Sequence, residues 1–156
     1  MTAHLKDIPQ DRPFSGRILL VDDEREFLRV TCRLLEKFGY HVTAFENGLD
    51  ALIYFQQYPL HFDAVVTDQS MPQIEGVDLF IRLRSCNSTI PVVVCSGNCR
   101  IIPLATVCNL GLDAILQKPV DILTLDQLLQ QLIRGREGTP ALHGDYLSPK
   151  PPPPGV

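Results

Sequence analysis

Short apolar runs alternate with stretches whose apolar residues recur every three or four positions, and the alternation repeats five times along the chain. Arg17-Ile18-Leu19-Leu20-Val21 is almost wholly apolar, as strands are when helices cover both faces of a parallel sheet. From Glu24 to Phe38, Phe27, Leu28, Leu34, Leu35 and Phe38 fall at helical spacing, with Arg25, Arg29, Arg33 and Lys37 on other faces, and Gly39 ends the pattern. His41 to Phe45 predicts a second strand. Asn47-Gly48 then marks a turn or cap before a helix carrying Leu49, Leu52, Ile53 and Phe55, closed by Pro59. Ala64-Val65-Val66 predicts a buried third strand ending at Asp68. Pro72 forbids its continuation, and a helix around Val77 to Leu83 follows Gly76. Ile90 to Cys95 predicts the fourth strand, with Pro91 at its start where a missing N–H is tolerated. Ile101 to Leu110 carries a weaker helical pattern with Pro103 near its start. Ala114-Ile115-Leu116 is the fifth strand, and Asp121 or Thr124 can cap a last helix that runs through Leu125, Leu128, Leu129, Leu132 and Ile133 to stop before Gly135.

An alternating βα chain of this kind makes an α/β fold: a five-stranded parallel sheet with right-handed crossovers and helices on both faces. The common strand order is 2-1-3-4-5. At 156 residues and 45% hydrophobic, the chain holds one domain with tails. The expected layout is an N-terminal arm over residues 1–15, a domain over 16–135 and a proline-rich tail over 136–156 that is extended or disordered.

Charge narrows the partners. A formal net charge of −4 with scattered Lys and Arg leaves no basic stripe, which argues against nucleic acid and anionic membrane surfaces. There is no N-terminal apolar signal region and no 18-residue apolar run. Five irregularly spaced cysteines fit reduced thiols in a cytoplasmic protein.

The chemistry gathers at strand ends. Asp22 and Asp23 end the first strand, Asp68 the third, Ser96 the fourth and Lys118 the fifth; in a parallel sheet these ends share one edge. Each residue alone reads as a cap, a turn former or a surface charge. Five such explanations at the same relative place are much less probable. Three carboxylates about 4–6 Å apart repel by several kcal/mol unless a proton or a cation intervenes. Carboxylate oxygens, a loop carbonyl and water suit Mg²⁺ or Mn²⁺. Lys118 and Ser96 could then hold phosphoryl oxygens during an in-line transfer to Asp68, whose carboxylate can form an aspartyl-phosphate, with Gly97 leaving room for the group.

Val21-Asp22-Asp23-Glu24, Thr67-Asp68 with Met71-Pro72 and Gly76, Cys95-Ser96-Gly97, and Lys118-Pro119, in this order and at strand ends, resemble the CheY-like receiver domain of two-component response regulators. The resemblance covers roughly residues 16–135. It implies that Asp68 accepts phosphate from a sensor histidine kinase or a phosphotransfer protein. It also implies that Asp23, Asp68 and the Ser70 carbonyl hold Mg²⁺ directly, that Asp22 acts mostly through water, and that Ser96 and Lys118 hold the phosphoryl group. Self-phosphorylation and autodephosphorylation would be its only chemistry, so it would not be an enzyme acting on a separate substrate. A cis bond between Lys118 and Pro119 is implied as well.

Two departures follow. The position of the family's aromatic switch, three residues before the lysine, is Ile115 here. No output domain can be read after Gly135, so the expectation is a stand-alone receiver signalling to a downstream protein through the face around Ile101 to Ile133, reshaped when Asp68 gains charge. Other readings meet specific obstacles. A haloacid-dehalogenase-type phosphatase wants a second aspartate two residues after the first, where Ser70 stands. A cysteine phosphatase wants five residues between Cys95 and an arginine, and Arg100 follows after four. A flavodoxin loop would not carry Asp22-Asp23-Glu24 against a flavin phosphate. The serious alternative is a receiver-like interaction module that is never phosphorylated.

Overall fold

In the computed structural model, which describes residues 12–137, the five apolar runs form one parallel sheet ordered β2-β1-β3-β4-β5. The strands are β1 (Gly16–Val21), β2 (Tyr40–Phe45), β3 (Ala64–Asp68), β4 (Val92–Ser96) and β5 (Ala114–Gln117). The helices between and after them are α1 (Arg25–Lys37), α2 (Gly48–Gln57), α3 (Gly76–Cys86), α4 (Leu104–Leu110) and α5 (Ile122–Glu137). Side-chain alternation along the strands divides the core. Leu19, Val21, Val65, Val92 and Val94 pack with Leu52 and Phe55 of α2 and Leu79 and Leu83 of α3. Ile18, Leu20, Val66, Val93 and Cys95 pack with Leu28 and Leu35 of α1 and Leu125 and Leu129 of α5. Among the described residues, no helix is long and apolar enough to cross a membrane.

Local chemistry accounts for the boundaries. Asn47 caps α2, its side-chain oxygen accepting from the N–H groups of Leu49 and Asp50. Asp121 caps α5, its Oδ2 accepting from the Thr124 N–H at 3.0 Å and from the Thr124 hydroxyl at 2.9 Å, so Thr124 is the capped residue and not the cap. Two expected boundaries shift. The weak helical pattern from Ile101 divides into a 3-10 turn (Cys99–Ile101) and α4, because Pro103 holds Ile102 extended and has no N–H to continue the turn. The last helix passes through Gly135 to Glu137. There Arg136 donates to the carbonyls of Phe62 and Asp63 and to the Thr89 hydroxyl, fixing the final turn across the bottom of the sheet.

Residues 12–15, the end of the expected arm, lie along the C-terminal end of α1. The Ser15 N–H donates to the Gly39 carbonyl and its hydroxyl to that of Phe38. Gly39 has φ +87°, and a Cβ there would stand 2.5 Å from the Pro13 carbonyl oxygen, so glycine is required both by the turn and by the close approach. Arg12 Nη1 reaches both oxygens of Asp126 at 2.9 and 2.8 Å, and its guanidinium stacks over Phe38. Asp126 is only 4% exposed and also accepts from Tyr40 Oη and Gln130 Nε2. Burial, then the hydrogen bond to Asp126, keeps the Tyr40 phenol protonated well above its usual range. Arg12→Ala therefore leaves a buried carboxylate without its counter-charge. The expected loss is about 2 kcal/mol, seen as a lower urea midpoint at unchanged m value. Residues 1–11 and 138–156, including the proline-rich tail, lie outside the described residues.

Candidate functional site

Strand register brings the predicted polar residues to one edge. Val21 is level with Thr67, Asp68 with Cys95, and Ser96 with Gln117, so Asp22, Asp68, Ser96 and Lys118 sit at the carboxyl ends of adjacent strands. The Asp22 N–H donates to the Phe45 carbonyl and the Lys118 N–H to that of Ser96, which extends the ladder into the site. One oxygen from each of Asp22, Asp23 and Asp68 lies within 4.8 Å of the others. Asp22 and Asp68 are 1% and 6% exposed, while Asp23 faces solvent. The Lys118–Pro119 bond is cis, as the resemblance implies.

Lys118 meets the acids directly. Its Nζ lies 3.0 Å from Asp22 Oδ2 and 3.2 Å from Asp68 Oδ1, with its side chain 18% exposed. Burial disfavours the ammonium charge, but the hydrogen bond and charge of Asp22, with the charge of Asp68, outweigh it and hold the Lys118 pKa above its ordinary value. For Asp68, burial pushes the carboxyl up. Lys118 opposes that shift, the Asp22 charge adds to it, and a hydrogen bond from the Ser70 backbone N–H resists it. The net direction is upward.

These charges refine the argument for a cation. Lys118 supplies one positive charge against three carboxylates, so an excess of two negative charges remains in a confined space. The donor set is all oxygen. The thiol in register with Asp68, that of Cys95, is buried and pushed up to about 12, first by burial, which withholds a soft ligand. A divalent ion preferring hard oxygen ligands, Mg²⁺ or Mn²⁺, fits this chemistry.

The raised pKa of Asp68 has a testable sign. A group whose folded pKa exceeds its unfolded value gives stability that is present at low pH and lost as pH rises through the folded pKa. Asp68→Asn imitates the protonated form, so it should raise the melting temperature of the metal-free protein at pH 7 by about 3 °C. The gain should vanish near pH 3.8, and saturating Mg²⁺ should reverse the order by stabilising only the wild type.

Ser96 is buried, and its Oγ accepts from the Asn98 N–H at 3.1 Å, leaving its own proton free to donate. Ser70 directly follows the Asp68–Gln69 pair and is exposed. The space beside Gly97 is open, and a Cβ there would meet no heavy atom within 4 Å. Gly76 is different: a Cβ at that position would lie 2.5 Å from the Asp68 carbonyl oxygen. Ile115 packs half-buried on the α2–α3 side of the sheet.

Sequence reasoning missed two neighbours of the site. Gln117 Nε2 donates to the Gly97 carbonyl at 2.6 Å, and its Oε1 accepts from the Cys99 N–H at 3.3 Å, which ties the segment after β4 to β5. A lone polar residue at a strand end gives no signal for such a clamp. Phe27, read only as one apolar residue of α1, places its ring 4.6 Å from Lys118 Nζ.

An α/β sheet of this order with a carboxylate cluster and a lysine at its carboxyl edge is the architecture of a receiver domain, and comparison with known proteins agrees. The model of the response regulator receiver domain matches residues 18–130, and the chain belongs to that family, the CheY-like signalling modules of two-component systems. It is 36% identical over 81 residues to the response regulator receiver protein CpdR of Brucella abortus, covering 52% of this chain and 66% of that protein. It is 31% identical over 124 residues to the transcriptional regulatory protein TctD of Salmonella typhimurium, covering 78% of this chain and 54% of that protein. The chain thus spans about half to two thirds of the length of these relatives. A receiver domain protein from Clostridium thermocellum shares the fold, with a TM-score of 0.74 at 24% identity over 78% of this chain and 97% of that one.

Proposed function

We propose that Asp68 accepts a phosphoryl group from a sensor histidine kinase or a phosphotransfer protein, and that the phosphorylated chain signals as a receiver by binding a downstream protein. The observation that carries this reading is the Lys118 ammonium held between Asp22 and Asp68 within an acidic cluster at the sheet edge. This ammonium bridges two nearly buried acids, and a carboxylate oxygen of Asp23 lies within 4.8 Å of theirs.

In the transfer, a carboxylate oxygen of Asp68 attacks phosphorus. An O–P bond forms as the N–P bond of the donor phosphohistidine breaks, and the departing imidazole takes a proton from water. Lys118 Nζ moves from the carboxylates to a phosphoryl oxygen, and the Ser96 hydroxyl donates its free proton to another. Held by Asp23, Asp68 and the Ser70 carbonyl, with Asp22 acting through water, Mg²⁺ or Mn²⁺ would neutralise the charge on the oxygens being transferred. The Asp68 carboxylate, one negative charge, thereby becomes an acyl phosphate carrying about two.

The readout passes from Ser96 into residues 97–99, which Gln117 couples to β5, and so reaches the face formed by α4, β5 and α5. Ile115 offers no ring for the family's usual switch. The 156-residue chain given acetyl phosphate and Mg²⁺ should gain one HPO₃ in intact mass, stable in acid and labile in base. A chelator should block the gain, and Asp68→Asn should abolish it. An unchanged wild-type mass would favour the alternative, a receiver-like module that binds partners without phosphorylation.

A further inference from the structure

We propose that Phe27 is a positioning residue for Lys118: the face of its ring holds the ammonium at the rim of the acidic cluster, ready to pass from carboxylate to phosphoryl oxygen. The inference rests on the reading of Asp68 as phosphoacceptor. Phe27 lies in the first turn of α1, just after the segment that carries Asp22 and Asp23. The inward face of α1 is formed by Leu28, Thr31 and Leu35, and Phe27 stands beside that face, half-exposed. It belongs to neither apolar cluster of the sheet, so core packing does not explain an aromatic residue there. Its ring centroid is 4.6 Å from Lys118 Nζ, well within cation–π range.

The geometry suits a moving charge. An ammonium has three N–H donors; Lys118 gives one to Asp22 Oδ2 and pairs by charge with Asp68 Oδ1 at 3.2 Å. The ring covers a further side of the nitrogen with a diffuse negative face. That attraction has little directional demand, so it persists while the hydrogen bonds exchange, and it limits water on that side. A leucine would fill a similar volume without attracting the charge.

The test follows phosphorylation of the 156-residue chain by acetyl phosphate in Mg²⁺, a donor small enough to leave out any docking of a kinase on α1. Phe27→Leu should slow labelling roughly tenfold, with Mg²⁺ affinity within about twofold of wild type. Phe27→Trp should restore the rate. In proton NMR the Lys118 ε-methylene should be shifted upfield by the ring in wild type and return to the ordinary range in Phe27→Leu. Labelling of Phe27→Leu at the wild-type rate overturns the positioning role alone. A slow Phe27→Leu that Phe27→Trp does not rescue, or an unshifted ε-methylene in wild type, also overturns it by reducing the effect to packing. A wild type that takes no phosphoryl group removes the phosphoacceptor reading and this role together.

Discussion

Lys118→Met should destabilise the metal-free protein by about 3 kcal/mol, the largest single effect expected of any site residue. The ammonium bridges two nearly buried carboxylates at 3.0 and 3.2 Å, and methionine keeps the length of the side chain while leaving Asp22 and Asp68 facing each other uncompensated. Because the Lys118 pKa is raised on folding, the lost contribution is one present throughout the neutral range, fading only as pH climbs through that raised value. Mg²⁺ affinity should be retained or strengthened, since the acids lose a competing cation, and saturating Mg²⁺ should restore much of the stability. Phosphorylation by acetyl phosphate should slow by about 10²-fold, because a donor to the transferred oxygens is gone. Urea denaturation with and without metal, alongside labelling kinetics, separates these effects. Loss of metal affinity would mean that the ammonium organises the ion site instead of serving the phosphoryl group.

Gly76→Ala comes next, with an expected cost of about 2–3 kcal/mol. The added methyl would lie 2.5 Å from the Asp68 carbonyl oxygen and 3.0 Å from the Gln69 Cα, both backbone atoms, so no side-chain rotation relieves it. The start of α3 must move away from the end of β3, and the Gly76 N–H to Gln69 carbonyl bond at 2.9 Å is strained with it. The residue displaced is the proposed phosphoacceptor, so labelling should fall together with thermal stability. Gly97→Ala is the control for stability: the open space around that position predicts little change in melting temperature.

What was legible in the sequence was periodic or converging. Ile18 to Val21 and Ala64 to Val66 read as strands because burial on both faces leaves no polar positions to interrupt them. The site was legible because parallel strands deliver their carboxyl ends to one edge, so Asp22, Asp68, Ser96 and Lys118 had to be neighbours once the order was assigned. Contacts between distant segments were not legible. Nothing local marks Arg12 as the counter-charge of Asp126, or Arg136 as the anchor that carries α5 beyond Gly135. The expected arm, residues 1–15, contains Arg12 with no sign of its partner, and the expected helix end before Gly135 stops short of Arg136. The inference that crowded acids demand a cation was incomplete for the same reason, since it left out the ammonium already between them. The sequence points Lys118 at the phosphoryl group, and its second role as the partner of Asp22 is seen only in the folded chain.

In the proposed function the acidic edge serves to place a phosphoryl group on Asp68. Borohydride reduction of the acetyl-phosphate-treated chain, followed by peptide sequencing in a mass spectrometer, tests it most directly, because hydride converts an aspartyl-phosphate to homoserine and marks the residue that carried it. Homoserine is expected at position 68, dependent on Mg²⁺ and on the donor. Homoserine at position 22 or 23, or none in a chain shown to be folded, would contradict it.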